Sequence, residues 1–414
     1  MARIVVLNIP ARGHINPTLA LVRELVARGE TVIYYSFNEF QSAIEATGAE
    51  FRSYDQTLNF DPTSPDPNIF RLATQLLETS QMLIPQLLPQ VEADAPDIII
   101  HDSLCHWGLA ISRILSVPTI CSTTTFAISS KVAVSSLSDA MRFWTMILTS
   151  LPELRRFRRI REELRERYGT ASGNTHGIAP DSPSEMFRND SERNLVFTSA
   201  AFQPHSPSFP KHYRFVGASI VEPNVSAAER FPLPPAKRRI YISLGTLFND
   251  NIAFYKACFE ALATIDAHVV MSIGKKLSVQ DLGDIPPNFS VHNFVPQLEI
   301  LRQSDLFITH GGMNSVHESL WFGVPMIVVP QAADQNFVAN RVESTGAGIV
   351  LHNSALTSER LRSAVEEIFA SLFSYKPRAA ELGQSLRDAG GFMRAADEVQ
   401  MFIWQNVVYE PENA

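Results

Sequence analysis

Short runs of β-branched residues alternate along this chain with longer segments whose apolar residues recur about every 3.6 positions. Buried parallel strands have such runs, and the longer segments fit the helices that connect them. The runs of the first half are Ile4–Leu7, Thr31–Tyr35, Ile98–Ile100 and Thr119–Cys121. The pattern restarts with Ile240–Ser243, His268–Ser272, Leu306–Thr309, Met326–Val329 and Gly348–Leu351. It predicts an α/β fold with two doubly wound, Rossmann-like domains.

A proline-rich segment separates the two halves. Residues 203–239 contain seven prolines and little apolar periodicity, which is typical of an interdomain connection. We predict an N-terminal domain of residues 1–217, a linker of residues 218–238 and a C-terminal domain of residues 239–395. Residues 396–414 are expected to form a helix that returns to the N-terminal domain.

Charge and cysteine content exclude several classes of protein. The 414 residues include 35 Lys or Arg and 43 Asp or Glu, a formal net charge of −8, so we predict no nucleic-acid partner. The odd, scattered set Cys105, Cys121 and Cys258 does not suit a disulfide scaffold and fits a reducing compartment. The sequence has neither a signal-peptide core nor an apolar run of about 18 residues. We therefore expect a cytoplasmic protein without stable membrane insertion.

The first candidate for chemistry is a histidine in the loop after the first predicted strand. The loop reads Ile9-Pro10-Ala11-Arg12-Gly13-His14-Ile15-Asn16-Pro17. We expect Asn16 to cap a helix that begins at Pro17, so that His14 lies just before the helix, where open α/β sheets bind ligands. The positive end of the helix dipole favours a neutral imidazole, the form that acts as a general base. The alternative is that His14 only stabilises the loop.

Asp102 is the predicted partner of His14. It lies at the carboxyl end of the predicted strand that runs through Asp97–Asp102, on the same edge of the sheet as His14. A carboxylate there can accept the ring N–H of His14, fix its tautomer and stabilise the imidazolium. His101, Asp102, Cys105 and His106 could instead bind a metal ion. We predict no metal, because residues 101 and 102 face opposite sides of the strand and no second cluster has zinc spacing.

A denser set of polar residues follows the strands of the second half. After Leu306–Thr309, two glycines allow close backbone approach, and Asn314 or Ser315 is predicted to begin a helix whose amides bind an anion. The candidate anion ligands are Gly245, Thr246, His310, Gly312, Asn314 and Ser315. Glu318 has acceptors for two ribose hydroxyls, and Asp334 and Gln335 have acceptors for a sugar. A purely structural Gly-Gly turn would explain the glycines but not the convergence of polar groups.

Several common motifs are absent from the sequence. It contains no G-x-G-x-x-G, no G-x-x-x-x-G-K-[ST] and no G-x-S-x-G. It also lacks an Asp-x-Asp pair of the kind that holds a metal against a nucleotide sugar. We therefore expect a leaving diphosphate to be stabilised by the protein alone.

These residues resemble the motifs of a known family. From Phe294 to Gln335 the sequence resembles the nucleotide-sugar signature shared with plant secondary-product enzymes, and Gly13–Pro17 resembles a catalytic-base loop. Over nearly its whole length the chain resembles the UDP-dependent glycosyltransferases of the GT-B fold, particularly the bacterial macrolide-type branch. The resemblance implies two Rossmann-like domains that face a cleft.

The resemblance also implies residue roles. His14 would be the catalytic base and Asp102 its acidic partner. The implied donor-binding residues are Gly245, Thr246, Phe294, Val295, Gln297, His310, Gly312, Asn314, Ser315, Glu318, Asp334 and Gln335. Of these, Gln297 and the adjacent backbone would bind uracil, Glu318 the ribose, and Asp334 and Gln335 the sugar. Phe294 stands where many relatives have Trp, and so offers the base a smaller stacking surface.

The reaction implied is a single displacement with inversion, from a UDP-sugar to a hydroxyl of a small apolar aglycone such as a flavonoid, a phenol or a macrolide. Gln335 resembles the glucose-preferring members, which favours UDP-glucose. The implied assembly is a monomer or a weak homodimer. Candidate walls of the acceptor site are Phe60–Phe70, Ser122–Phe126 and Phe143–Trp144. Two alternatives are a nucleotide-sugar epimerase of the same fold, which would act on UDP-glucose alone, and a non-catalytic helper.

Overall fold

The computed structural model describes residues 1–54, 68–128, 150–172, 178–223, 231–246, 249–331, 333–352 and 356–408. They divide into two compact units. The first contains residues 1–54, 68–219 and 389–408, and the second contains residues 220–388 apart from the gaps just given. Each unit has one parallel sheet with helices, which confirms the predicted α/β fold with two doubly wound parts. Phe143, Trp144 and residues 60–67 of the predicted acceptor walls lie outside the described residues.

The first unit is built on a seven-stranded sheet of order β3-β2-β1-β4-β5-β6-β7, and its strands pair in parallel. The strands are β1 (Arg3–Leu7), β2 (Thr31–Ser36), β3 (Glu50–Ser53), β4 (Ile98–Asp102), β5 (Thr119–Thr123), β6 (Arg193–Val196) and β7 (Tyr213–Phe215). The central strands β4 and β5 are buried at every position, because helices cover both faces of the sheet.

Seven α-helices belong to the described part of the first unit. They are α1 (Arg12–Ala27), α2 (Gln41–Glu45), α3 (Ile69–Asp94), α4 (His106–Leu115), α5 (Leu151–Ser172), α6 (Pro183–Arg188) and α13 (Gly391–Ile403). Two apolar clusters form around the sheet. One contains residues of α3, α4 and α5, and the other contains residues of α1 and α13.

An ion-pair cluster ties the C-terminal helix α13 to the rest of the first unit. Glu398, which is 1% exposed, contacts the guanidinium groups of Arg193 at 2.6 Å, Arg394 at 2.7 Å and Arg214 at 3.2 Å. Arg193 also donates to Gln405 at 3.0 Å. A buried carboxylate is stable only with such partners, so this cluster fixes where α13 packs.

The second unit is built on a six-stranded sheet of order β10-β9-β8-β11-β12-β13, again with parallel pairing. The strands are β8 (Arg239–Ser243), β9 (His268–Ser272), β10 (Phe289–His292), β11 (Leu306–Thr309), β12 (Met326–Val328) and β13 (Gly348–Val350). The helices are α7 (Ile252–Leu262), α8 (Gln297–Leu301), α9 (Met313–Trp321), α10 (Ala333–Ser344), α11 (Ser358–Ala370) and α12 (Leu372–Asp388).

Both sheets reverse their strand order at one point, between β1 and β4 in the first unit and between β8 and β11 in the second. In open α/β sheets, ligands bind beyond the carboxyl ends of the strands at this reversal. His14 follows β1, Asp102 ends β4, and Gly245 and His310 follow β8 and β11. The topology therefore puts each group of predicted site residues at a binding position of its own sheet. No helix in the described part of the chain is long and apolar enough to cross a bilayer.

Candidate active site

The first group of site residues is a histidine–aspartate pair. The Nδ1 atom of His14 lies 2.7 Å from Oδ2 of Asp102, whose side chain is fully buried, whereas that of His14 is 15% exposed. An ionised carboxylate only accepts hydrogen bonds, so the ring hydrogen of a neutral His14 is on Nδ1. The lone pair is then on Nε2, the arrangement that a general base needs.

The carboxylate of Asp102 is held at both oxygens. Oδ2 accepts from His14, and Oδ1 accepts from the backbone N–H of Leu104 at 2.8 Å. The carbonyl of Asp102 accepts from the N–H of Cys105 at 2.9 Å, so the chain turns tightly after β4. This turn orients the carboxylate toward His14 before any ligand binds.

Two residues near His14 were not among the site residues predicted from the sequence. Oγ1 of Thr124, which is 2% exposed, lies 3.1 Å from Nδ1 of His14. Asn8, at the end of β1, donates from Nδ2 to the carbonyl of His14 at 3.3 Å and to the hydroxyl of Tyr34 at 3.0 Å. Thr124 lies in the segment considered only as an acceptor wall. The sequence feature that could have identified Thr124 is its position directly after β5, which pairs with the strand that ends at Asp102.

The predicted start of the first helix is wrong. The helix begins at Arg12 with Ala11 as N-cap, and Pro17 lies inside it. The N–H groups of His14 and Ile15 both donate to the carbonyl of Ala11, at 2.9 and 3.0 Å, so the first turn forms before the proline. Pro17 is the sixth residue of the helix and removes a single backbone donor from its second turn. His14 is therefore the third residue of the helix rather than a loop residue that precedes it.

The residues considered as metal ligands have other surroundings. Nε2 of His101 lies 2.8 Å from Oγ of Ser191, and Nδ1 lies 3.0 Å from the carbonyl of Asp102. Burial lowers the pKa of His101 to about 4 and that of His106 to about 3, so both rings are neutral at pH 7. Burial also raises the pKa of the Cys105 thiol. Within the described ranges, no group of three or more His, Cys, Asp or Glu residues is arranged to hold a metal ion.

The second group surrounds the turn between β11 and α9. Gly311 has a φ of +85°, and a Cβ atom there would lie 2.6 Å from Cγ1 of Val328, so only glycine fits. The helix begins at Met313 with Gly312 as N-cap, not at Asn314 or Ser315 as predicted. The reason is that Gly312 adopts an extended backbone, with φ −61° and ψ 137°, and its carbonyl accepts from Val316 at 3.0 Å. Asn314 and Ser315 are therefore in the first turn, where helix amides and the dipole favour an anion.

The ring of His310 lies against two glycines. A Cβ atom on Gly245 would be 2.5 Å from Cε1 of the ring, and a Cβ atom on Gly312 would be 2.5 Å from Nε2. Burial lowers the pKa of His310 to about 4, although its hydrogen bond with the backbone of Ser243 opposes the shift. At neutral pH, His310 thus offers a neutral donor beside the helix N-terminus rather than a cation.

Three further residues form a connected polar set. Nε2 of Gln297 donates to Oε2 of Glu318 at 2.6 Å and lies 3.3 Å from Oγ of Ser315. Oε1 of Gln297 accepts from the hydroxyl of Tyr241 at 3.0 Å. Burial raises the pKa of Glu318 to about 7, and the hydrogen bond from Gln297 works against this rise. Tyr241 was not among the predicted site residues.

The remaining predicted donor residues differ in exposure. Phe294 is 76% exposed, Thr246 is also exposed, and Val295 is buried. Gln335 is 6% exposed, and its Oε1 accepts from the backbone N–H of Gln331 at 2.8 Å, which stabilises the loop before α10. The side chain of Asp334 lies outside the described residues.

Comparisons with known proteins identify the family. Residues 256–387 match the family model described as the erythromycin biosynthesis protein CIII-like C-terminal domain. A Bacillus subtilis protein described as the UDP-glucosyltransferase YojK is 33% identical, with 96% of this chain and 97% of the relative aligned. The oleandomycin glycosyltransferase of Streptomyces antibioticus is 31% identical, with 96% of this chain and 90% of the relative aligned.

A solved structure described as the glycosyltransferase of kitacinnamycin is 31% identical to this chain and has a TM-score of 0.81. The match covers 97% of this chain and 98% of the chain in that structure. The fold and these relatives define the class as GT-B glycosyltransferases. This chain belongs to the macrolide-type family of that class and is a glycosyltransferase. The relatives' names favour a transferase over the epimerase and helper interpretations.

Proposed function

We propose that this enzyme transfers glucose from UDP-glucose to a hydroxyl group of a small apolar aglycone, with inversion at the anomeric carbon and without a metal ion. The observation that carries the proposal is the 2.7 Å hydrogen bond between His14 and Asp102. It gives His14 a basic Nε2 at the carboxyl edge of the sheet, where acceptor hydroxyls would be bound.

The division of labour follows the predicted domains. We assign the acceptor and the base to the N-terminal domain, residues 1–217, and the donor to the C-terminal domain, residues 239–395. Residues 218–238 would be the linker, and residues 396–414 would complete the N-terminal domain. The ion pairs of Glu398 support the last assignment, because they join that helix to Arg193 and Arg214.

Each part of the donor has a candidate partner. Phe294 would stack on the uracil beside Val295 and Gln297, and Glu318 would accept from the ribose hydroxyls. The diphosphate would be bound by Gly245, Thr246, His310, Gly312, Asn314 and Ser315. Asp334 and Gln335 would bind the sugar. A relative described as a UDP-glucosyltransferase supports the choice of nucleotide and sugar.

The proposed chemistry is one displacement. Nε2 of His14 takes the proton of the acceptor hydroxyl while the acceptor oxygen forms a bond to the anomeric carbon. The bond from that carbon to the phosphate oxygen breaks, and UDP leaves with the electron pair. Asp102 stabilises the imidazolium, and the first turn of α9 with the neutral His310 stabilises the charge that develops on the diphosphate.

For the acceptor, we propose a phenol, flavonoid or macrolide whose hydroxyl approaches His14. Of the predicted walls, residues 68–70 and Ser122–Phe126 are described, and the second segment lies at the carboxyl end of β5. Thr124 in this segment contacts His14, and Phe126 is 7% exposed and packs on Phe202 at 5.4 Å between ring centroids. The segment would place hydroxyl side chains and one aromatic ring beside His14, a surface that suits an aglycone with a reactive hydroxyl.

The test is product analysis by mass spectrometry. The purified protein is incubated with a mixed panel of phenols, flavonoids and macrolides and with UDP-glucose, UDP-galactose or dTDP-glucose in turn. We expect a mass increase of one hexose with UDP-glucose, and NMR of the product should show a β-linkage, since the donor is α-linked. EDTA should leave the rate unchanged.

Three results would each contradict a part of the proposal. An α-linked product would exclude single displacement. Conversion of UDP-glucose to another nucleotide sugar in the absence of acceptor, with no transfer to any member of the panel, would favour an epimerase. A higher rate with dTDP-glucose would leave the transferase in place and overturn the choice of nucleotide.

A further inference from the structure

A chain of two hydrogen bonds connects a buried tyrosine to the candidate ribose ligand. Tyr241 is 1% exposed and lies in β8, where its ring stacks on Phe307 with centroids 4.8 Å apart. Its hydroxyl donates to Oε1 of Gln297 at 3.0 Å. Nε2 of Gln297 then donates to Oε2 of Glu318 at 2.6 Å. All three residues lie in the second unit.

We propose that Tyr241 is a positioning residue that lets the enzyme select ribonucleotide donors by fixing the amide orientation of Gln297. The proposal rests on the proposed function, because it assumes that Glu318 accepts from ribose. It adds a residue whose side chain would not touch the donor and whose effect passes through Gln297.

The argument depends on the two ends of an amide. A glutamine side chain presents either its oxygen or its NH₂ group in a given direction, and its neighbours decide which. The Tyr241 hydroxyl donates to the oxygen of Gln297, and the carboxylate of Glu318, which only accepts, binds the NH₂ group, so the amide is held at both ends in one orientation. Without that hydroxyl, the part-buried amide oxygen of Gln297 loses its donor, and the side chain is held only at its NH₂ end.

The orientation matters for Glu318 because the NH₂ group of Gln297 holds one of its two oxygens. With Oε2 bound to Gln297, the carboxylate is fixed in its plane, and Oε1 keeps its capacity to accept from a ligand hydroxyl. Held at one end only, Gln297 would no longer fix the plane of the carboxylate. Removal of the Tyr241 hydroxyl would therefore weaken binding of the ribose hydroxyls and not binding of the uracil or the phosphates.

The experiment measures binding by titration calorimetry with two probes, UDP and 2′,3′-dideoxyuridine diphosphate, which lacks both ribose hydroxyls. We expect Tyr241→Phe to weaken UDP binding about 5- to 10-fold, the range for loss of one hydrogen bond, and to change binding of the dideoxy probe less than about 2-fold. In a Gln297→Ala background, Tyr241→Phe should have no further effect on UDP.

Tyr241→Phe keeps the ring that stacks on Phe307, and its thermal unfolding is compared with that of the parent protein to verify folding. The matched control is Tyr375→Phe, which removes a hydroxyl that donates to Glu367 at 2.9 Å in the same unit and should bind both probes normally.

Three results would overturn the inference. The first is that Tyr241→Phe binds UDP as tightly as the parent protein does. The second is that Tyr241→Phe weakens the binding of both probes equally, and the third is that it weakens UDP binding just as much in the Gln297→Ala background. If the parent protein binds UDP no better than the dideoxy probe, the ribose role of Glu318 fails and the inference fails with it. Absence of any UDP binding by the parent protein would instead refute the proposed donor.

Discussion

Replacement of Asp102 by Asn would test the His14–Asp102 pair with almost no change in shape. The backbone N–H of Leu104 donates to Oδ1 of Asp102 at 2.8 Å, so an asparagine at this position must keep its oxygen there. Its NH₂ group then takes the place of Oδ2 and donates to Nδ1 of His14. The ring hydrogen moves to Nε2, and the lone pair needed for proton abstraction is lost.

The magnitude follows from the contacts. An asparagine that kept the productive tautomer of His14 would have to point its NH₂ group at the Leu104 N–H, which costs about 1–3 kcal/mol for an unmade buried hydrogen bond. A neutral amide also stabilises the imidazolium less than a carboxylate does, by roughly 1.5 kcal/mol. Since 1.4 kcal/mol is a factor of ten, we expect kcat to fall about 10²- to 10³-fold.

The assay is steady-state turnover of UDP-glucose with an accepted phenol, followed by chromatography, together with UDP binding by calorimetry. Asp102→Asn should lower kcat and leave the affinity for UDP unchanged. The matched control is Asp190→Asn, which alters another aspartate–histidine pair, with His212 at 2.9 Å, and should retain normal turnover. Turnover of Asp102→Asn within about fivefold of the parent value would refute the tautomer argument.

Further predictions concern the base, the ribose ligand and the C-terminal helix. His14→Ala should lower kcat by about 10²-fold or more with unchanged UDP affinity, and near-normal turnover would exclude His14 as the base. The pKa of Glu318 is raised to about 7, so its carboxylate ionises as the pH rises from 6 to 8, and UDP should bind more tightly over that range. Glu318→Gln should lose this part of the pH dependence, and identical pH profiles of the two proteins by calorimetry would argue against the ribose role. Glu398→Ala should destabilise the first unit by about 3–5 kcal/mol, because it leaves the guanidinium of Arg193, 7% exposed, without its carboxylate partner. Urea unfolding measures this change, and the double variant Glu398→Leu/Arg193→Met should recover most of it, whereas a loss below about 1 kcal/mol for Glu398→Ala would show that the cluster contributes little.

Much of the fold was predictable from the sequence because both sheets are buried on both faces. Parallel strands in that environment consist almost entirely of β-branched and other apolar residues, so Ile4–Leu7 predicts β1 (Arg3–Leu7) and Leu306–Thr309 matches β11. Helix starts were predicted less well. The signal from Asn16 and Pro17 is local, whereas the helix begins where the carbonyl of Ala11 accepts from His14 and Ile15.

The site was predictable to the extent that topology determines it. The carboxyl ends of neighbouring parallel strands lie together, which is why a histidine after β1 and an aspartate at the end of β4 could be paired from sequence. Their catalytic roles remain predictions. Thr124 and Tyr241 were missed, because a hydroxyl's partner depends on side-chain packing between distant segments and leaves no periodic signal.

The chain enters the second unit after residue 219 and returns to the first at residue 389. During synthesis, the sheet of the first unit is therefore complete long before α13 exists. Until α13 is made, the apolar surface near Ile15 and Val22 lacks its packing partners Val399 and Phe402. The second unit, made in one stretch, can finish folding while the first is still open. A nascent chain of this protein would thus depend on the segment after residue 388 that contains α13, and premature termination there would leave an exposed apolar surface prone to aggregation rather than a smaller folded domain.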